Sequence, residues 1–282
     1  MLKVLKSGFF TTVQDAGRYG LRDKGVPISG AMDMISAAMA NRLLENTPDA
    51  ALLEITMTGP TLEFEEDTYI SLGGAEMSAT LNNAPVQNYK VYKVRAGDLL
   101  SYGKLERGLR AYLAIKEGFR TPMVLGSRSL FKPLTPHACL SDKSEVPFNA
   151  SKGFEPKIEE LKVPPISEGG ALEIFKGPEY EMLTDAHLAA LFSKDFTVAK
   201  ENNRMAYQLE ETLVGHHMAM LTSATLPGTM QLTPAGKLII LMKDGQTTGG
   251  YPRIAQLSER SISVLAQKKF GDSLSFKLVL TL

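Results

Sequence analysis

A single cysteine, Cys139, excludes an internal disulfide framework. The chain carries 31 basic and 31 acidic side chains, so its net charge offers no argument for nucleic acid or an anionic membrane as partner. Tryptophan is absent, which excludes no function. Apolar runs are short. Leu238 to Met242 falls far below the length that crosses a bilayer. The opening MLKVLKSGFFTTVQD has no continuous apolar core of the kind a signal peptide needs, so a cytoplasmic protein is expected. Several catalytic signatures are missing as well. There is no G-x-x-x-x-G-K-[ST] loop: the nearest approach, Gly97 to Lys104, has Leu105 where a hydroxyl is required. Neither G-x-G-x-x-G nor the G-x-S-x-G elbow occurs. The histidines, His137, His187, His216 and His217, lack zinc-ligand spacing, and Cys139 stands alone, so no metal motif is present. His216 and His217 would point to opposite faces of a strand, and surface positions are expected for the pair. Cys139 reads as an incidental thiol.

The richest stretch runs from Leu226 to Ile254. Met230 to Thr233 alternates, Pro234-Ala235-Gly236 turns the chain, and Lys237 to Met242 reads as a buried strand. Asp244-Gly245-Gln246-Thr247-Thr248-Gly249-Gly250-Tyr251-Pro252-Arg253 follows. Glycines let a ligand approach the backbone, while Gln, Thr, Tyr and Arg supply directed hydrogen bonds. Such a loop suits a small polar or anionic ligand; it is equally consistent with a solvated turn.

The remaining chain reads mainly as β. Short strands separated by turns at Gly59-Pro60, Asn82-Asn83 and Ala96-Gly97 fill residues 51–119, a pattern of barrels and sandwiches. Ser29 to Asn46 is the clearest helix, with Ser29 as cap and Met32, Ile35, Met39 and Leu43 on its apolar face. Shorter helices are expected at 184–192, with Leu188, Leu191 and Phe192 inward, and at 258–267, with Ile262 and Leu265 inward. Strands are expected over 196–209 and 218–242, and a terminal one over 273–282 with Leu274, Phe276, Leu278 and Leu280 on one side. Prolines crowd 120–170, and the domain connection is placed near 150–165. G-D-x-L-S-aromatic occurs at Gly97 and again at Gly271, which hints at two similar halves against the alternative of chance.

The blocks TTVQDAGRYGLRDKGVPISGAMD, ALLEITMTGPTLEF, GLRAYLAIKEG, VLGSRS, NRMAYQLE and PGTMQLTPAGKLIILMKDGQTTGGYPRIA resemble the biotin-dependent carboxyltransferase family. The resemblance covers nearly the whole chain. It implies a mainly β fold with a few short helices, arranged as two cyclophilin-like β-barrel domains, here placed at 1–160 and 161–282. It implies the C subunit of an ATP-dependent 5-oxoprolinase complex, a lactam hydrolase that opens 5-oxoproline to glutamate. A partner like the 5-oxoprolinase B subunit, and a third subunit, are implied for full activity, with the chain inactive alone. ATP would act through the complex, and carboxybiotin would arrive on another protein, since no A-M-K-M site is present. Two alternatives remain: a carboxyltransferase subunit of a urea carboxylase or allophanate hydrolase system, and a regulatory protein that antagonises a kinase inhibitor. Residues 130–147 and Ser223 depart from the family's usual pattern.

For the enzyme reading, Asp15, Arg18, Asp244, Gln246 and Arg253 are the candidate catalytic residues, and Arg204, Thr247, Thr248 and Tyr251 the candidate substrate contacts. Arginines hold anionic oxygens in a planar fork, Asp15 or Asp244 could serve as base or orient an arginine, and preorganised donors would stabilise an oxyanion. Segments 14–33 and 244–254 are expected to line one cleft or two related ones. The alternative for Arg253 is an ion pair with Asp244 or Glu259, and for Arg204 a purely structural pair.

Overall fold

The computed structural model describes residues 1–164 and 170–279. The chain forms two compact units, Met1–Arg18 with Ser29–Ile166, and Tyr19–Ile28 with Ser167–Leu282. A division at residue 160 would leave Tyr19–Ile28 in the first unit, whereas this segment clusters with the second. Among the described residues the protein is mainly β with three short α-helices.

In the first unit a six-stranded and a five-stranded sheet share one core. Leu2, Val4, Leu62, Phe64 and Leu100 come from the first sheet. Val13, Leu53, Ile55, Ile70 and Leu113 come from the second. Strand Leu52–Thr56 is buried along its whole length. Leu53 and Ile55 enter this core, while Leu52 joins Tyr112 and Ala114 in a second cluster that includes Ala37 and Ala40 of the helix. Alternation alone predicts Glu54 outside; it is 1% exposed. Met57 follows the strand with φ 68° and is exposed.

The helix spans Met34–Leu43, shorter than expected, because Asp33 rather than Ser29 caps it by accepting a hydrogen bond from Ser36 N at 3.0 Å. Its buried side is Ser36, Ala37, Ala40, Asn41 and Leu43, whereas Ile35 and Met39 are only half-buried. Small residues win because the helix lies close on its sheet. A Cβ on Gly73 would come within 3.0 Å of the Ser36 carbonyl and 3.4 Å of Ala40 Cβ. Bulky side chains do not fit that separation.

The second unit holds an eight-stranded sheet whose two edges are Ser273–Leu274 and Phe276–Leu278. One short segment therefore pairs with Phe196–Asn202 on one side and, in parallel, with Leu172–Lys176 on the other. This closes the sheet into a barrel and leaves no long free edge. Leu274 and Phe276 are buried as expected; Leu280 lies outside the described residues. Helix Glu259–Ala266 buries Ile262 and Leu265. Helix Asp185–Ser193 buries Leu191 but leaves Phe192 exposed, since His187 takes the inward place as partner of Thr184 in a capping box. His216 is also buried, contrary to expectation: its Nδ1 accepts from Met218 N and its Nε2 meets the Leu232 carbonyl, while His217 stays exposed. Strand content in 218–242 is confined to Ser223–Ala224, Thr229–Leu232 and Lys237–Leu241.

The repeated G-D-x-L-S segment is the same turn in both units. Gly97 and Gly271 have φ 89° and 86°. Asp98 Oδ2 accepts from Arg95 N at 2.8 Å, and Asp272 Oδ2 accepts from Lys269 N at 2.9 Å. Each aspartate N–H returns a bond to the carbonyl of the same residue at 3.0 Å. Two separate turns thus use one chemistry.

Glu54 organises the motif before the first helix. Its Oε2 accepts from Met32 N at 2.7 Å and from the Tyr112 hydroxyl at 3.0 Å. The same hydroxyl accepts from Asp33 N at 2.8 Å. Burial, reinforced by the charges of Glu54 and Asp33, pushes the Tyr112 phenol well above its ordinary range, so it stays protonated as the donor. Removing this hydroxyl takes an acceptor from the buried Asp33 N–H and a donor from the Glu54 carboxylate. Tyr112→Phe is expected to destabilise the protein by about 1–3 kcal/mol, read as a lowered denaturation midpoint at unchanged m-value.

Candidate functional site

The candidate residues fall into two polar centres, one in each unit. In the first, Asp15 is buried and its carboxylate accepts four hydrogen bonds. Oδ1 takes Gly17 N at 2.8 Å, Ser127 Oγ at 2.6 Å and Ser129 Oγ at 2.7 Å, and Oδ2 takes Arg128 N at 2.6 Å. A carboxylate met by four donors anchors the segments that supply them. Arg18 is 1% exposed and donates to two backbone carbonyls, Val124 through Nε at 3.0 Å and Ser129 through Nη2. Asp15 and Arg18 thus grip the 124–129 loop from the same side of the chain. Ala31 N donates to the Asp15 carbonyl at 3.0 Å, and a Cβ on Gly30 would sit 2.9 Å from the Ala16 carbonyl, so the 29–31 turn is locked here as well. The serines of the G-S-R-S block are not among the residues that sequence reasoning selects, although that block carries part of the family resemblance.

In the second unit, Arg204 and Asp244 form a buried bidentate pair, with Nε to Oδ2 at 2.7 Å and Nη2 to Oδ1 at 3.2 Å. Their backbones join too, Asp244 N to the Arg204 carbonyl at 2.8 Å. This pair clamps the start of the glycine-rich loop to the 203–205 turn. Arg253 pairs with neither Asp244 nor Glu259. Its partner is Glu179, which accepts from Arg253 Nε and backbone N at 2.9 Å each through Oε2, and from Nη2 at 2.8 Å through Oε1. Nη1 donates to the Ala224 carbonyl at 2.6 Å. The guanidinium fork is therefore already filled by a carboxylate of the chain. Glu179 has no sequence signal beyond lying after a Gly-Pro turn.

Between these clamps the loop faces outward. Gln246, Thr248 and Tyr251 are exposed and Thr247 is half-buried. The two-residue strand Thr248–Gly249 pairs with Ser223–Ala224. Thr225 adds Oγ1 to the Gln246 carbonyl at 2.6 Å and N to the Thr247 carbonyl at 3.0 Å. The first motif segment also reaches this loop. Arg22 donates through Nη2 to the Thr225 carbonyl and, at 3.4 Å, to the Gln246 carbonyl. Burial pushes the Arg22 guanidinium below its ordinary range. Beneath the loop, Gln231 is 1% exposed on strand Thr229–Leu232, opposite Arg253. Thus Arg22, Thr225, Gln231 and Arg253 converge on segments 223–225 and 246–249, which carry Gln246, Thr247 and Thr248, while Asp15 and Arg18 belong to the other unit's centre. A separate groove at the C-terminal end of helix Met34–Leu43, lined by Asn41, Arg42, Lys157 and Ile158 among others, contains none of the candidate residues.

The carboxyltransferase domain family, subdomains A and B, matches residues 24–278. The chain belongs to this family. It is 34% identical over 282 residues to the 5-oxoprolinase C subunit of Escherichia coli K12, a match that covers 98% of this chain and 90% of that protein. It is 29% identical to urea amidolyase of Saccharomyces cerevisiae, covering 98% of this chain and 16% of that protein. Among solved structures, TTHA0988 superposes with a TM-score of 0.89 at 27% identity over 98% of this chain, and the chain spans 56% of it. The K. lactis urea amidolyase matches with a TM-score of 0.87 at 28% identity, with 18% of that chain covered. Family and mainly β architecture agree.

The residues present decide which of the groups implied by this family could be held here. A triphosphate cradle needs basic side chains available for phosphate oxygens. Arg18 is held by carbonyls, and Arg204 and Arg253 by carboxylates. These arginines do not fit a triphosphate site, and no step involving ATP is assigned to them. Among the described residues no group of His, Cys, Asp and Glu is arranged to hold a metal ion. No helix among them is long and apolar enough to cross a membrane.

The Arg253–Glu179 clamp sets a pH prediction. The hydrogen bonds from Arg253 hold the Glu179 carboxyl below its ordinary range. A depressed folded value means that the stabilisation is present above the unfolded carboxylate range, near pH 4, and is lost as pH falls through the folded value. Glu179→Gln is expected to show a smaller loss of stability than wild type between about pH 5 and pH 2. Arg253→Lys, which retains charge but breaks the fork, is expected to cost about 1–3 kcal/mol at neutral pH. Calorimetry of both variants across pH checks the pair, and a lysine variant as stable as wild type would remove the clamp.

Proposed function

We propose that this chain acts as the C subunit of a 5-oxoprolinase complex, which opens the lactam of 5-oxoproline to give glutamate with ATP as the energy source. The carrying observation is the 34% identity to the Escherichia coli 5-oxoprolinase C subunit over nearly the full length of both chains. A partner like the 5-oxoprolinase B subunit, together with a third subunit, supplies what this chain lacks, including the nucleotide site, and the chain alone turns over little substrate. The two domains are read as cyclophilin-like barrels and the location as cytoplasmic.

Within this reading the candidate residues divide by role. Asp15, Arg18, Arg204, Asp244 and Arg253 are positioning residues, because their polar atoms are committed to the loops they hold. Gln246, Thr247, Thr248 and Tyr251 are the substrate-facing set, because they border the outward side of the loop. Rigid clamps below and exposed donors above suit a site that must present hydrogen bonds to a carbonyl oxygen with little reorganisation.

A second reading is a carboxyltransferase that receives a carboxyl group from carboxybiotin on another protein. It is supported by the 44% identity over 130 residues to urea amidolyase of Lachancea kluyveri. Reconstitution separates the two. The chain alone, then with both partner subunits, is assayed for ATP-dependent glutamate formation from 5-oxoproline. Activity that appears only on assembly is the expected result. Biotin-dependent carboxylation of urea in place of glutamate formation would favour the second reading, and full activity of the isolated chain would overturn the division of labour.

A further inference from the structure

Two buried donors converge on the Gln246–Gly250 loop and have no hydrogen-bond partner among the described residues. One is Gln231 Nε2, on a side chain that is 1% exposed. The other is Arg22 Nη1. Arg22 already touches this loop, since its Nη2 donates to the carbonyls of Thr225 and Gln246. Gln231 reaches the same loop from below: its carboxamide fills the space where a side chain on Gly249 would stand. The carboxamide of Gln246 lies on the same side, with its Nε2 2.9 Å from that position. Glycine at 249 is thus what allows two carboxamides to meet there. Among the described residues of this unit no other buried side-chain donor lacks a partner: Thr225, Gln256 and Tyr207 all have protein acceptors. Burying a donor without a partner is destabilising, so two at one loop are a feature that packing alone does not account for.

The chemistry of these donors defines a ligand. A carboxamide carries a donor and an acceptor on one edge. It is complementary to an amide whose N–H and C=O lie on the same side, with which it makes two parallel hydrogen bonds. An open-chain peptide bond is trans and cannot present that edge. A five-membered lactam is forced to do so by its ring, and urea and the ureido ring of biotin do so as well. A guanidinium with a spare donor at the same loop is suited to a carboxylate. We propose that Gln231 and Arg22 form the ligand-reading site of this loop, Gln231 pairing with the cis-amide edge of a small molecule and Arg22 receiving its carboxylate. The exposed Gln246 side chain swings out as the ligand enters. The site rests on the geometry; the choice of 5-oxoproline as its occupant rests on the reading of a 5-oxoproline-opening complex.

The test titrates the full chain with 5-oxoproline, pyrrolidin-2-one, urea and biotinamide, with melting temperature measured on every variant. Pyrrolidin-2-one keeps the lactam edge and lacks the carboxylate. Gln231→Leu is expected to weaken both lactams at least about tenfold while the melting temperature holds or rises, because an unsatisfied buried amide has been removed. Arg22→Gln is expected to weaken 5-oxoproline by about tenfold and to leave pyrrolidin-2-one within about twofold. Gly249→Ala, which crowds both carboxamides, should repeat the Gln231→Leu binding loss. Binding within about twofold of wild type in Gln231→Leu overturns the site, as does a binding loss that tracks a lowered melting temperature, or a wild-type chain that binds none of the four. The two readings fail separately. Turnover of 5-oxoproline by the assembled complex with no effect of Gln231→Leu removes the site and leaves the complex. Binding of urea or biotinamide but not of 5-oxoproline keeps the cis-amide site and removes 5-oxoproline as its occupant.

Discussion

Four carboxylates taken out of water hold this protein's motif loops in place. Asp15, Glu54, Asp244 and Glu179 are each buried or nearly so, and each is met by several donors. A buried charge without such partners would cost more than a whole domain's net stability allows. The sequence around each must therefore supply donors at fixed distances, and in doing so it takes one shape. Asp15 gathers the serines of the 127–129 turn; Glu54 gathers Met32 and Tyr112; Asp244 gathers Arg204; Glu179 gathers Arg253. The loops that look most like flexible, ligand-seeking segments are fixed at their bases by these contacts.

This arrangement separates side chains committed within the chain from side chains left exposed. An arginine whose fork is filled by a carboxylate of its own chain sets the position of a loop and has little left to offer a substrate. Side chains at the outward edge of the loop, Gln246 and Thr248 above all, keep their donors and acceptors available. The short ladder between Ser223–Ala224 and Thr248–Gly249 pairs only two residues on each side.

The barrel of the second unit serves the same end. Closing the sheet through one segment, Ser273–Leu278, removes long edges and places strand Thr229–Leu232 at the centre, flanked on both sides. A polar side chain such as Gln231 can stand on that strand because the surrounding apolar residues, Met230, Leu232, Ile240 and Ile254, carry the packing. The equivalent turns at Gly97 and Gly271 show that the two units start a strand by the same local device, even though their sheets are organised differently.

The sequence by itself determined the β-rich class, the turn positions, the presence of the three helices and the family, because periodicity, glycine placement and long motif blocks are local properties. It did not determine which residues in the motif loops act outward. Periodicity places Glu54 at the surface and Ile35 in the core, and neither is so, because close helix–sheet packing and a buried phenol decide those positions. Arg253 lies 74 residues from Glu179, and Asp15 lies 112 from Ser127. Pairings at such separations leave no trace in local spacing. Tertiary structure alone decided that Arg253 is a clamp, that segment Tyr19–Ile28 joins the C-terminal unit, and that Gln231 stands beneath Gly249, since each is set by which distant donor and acceptor the fold brings within about 3 Å.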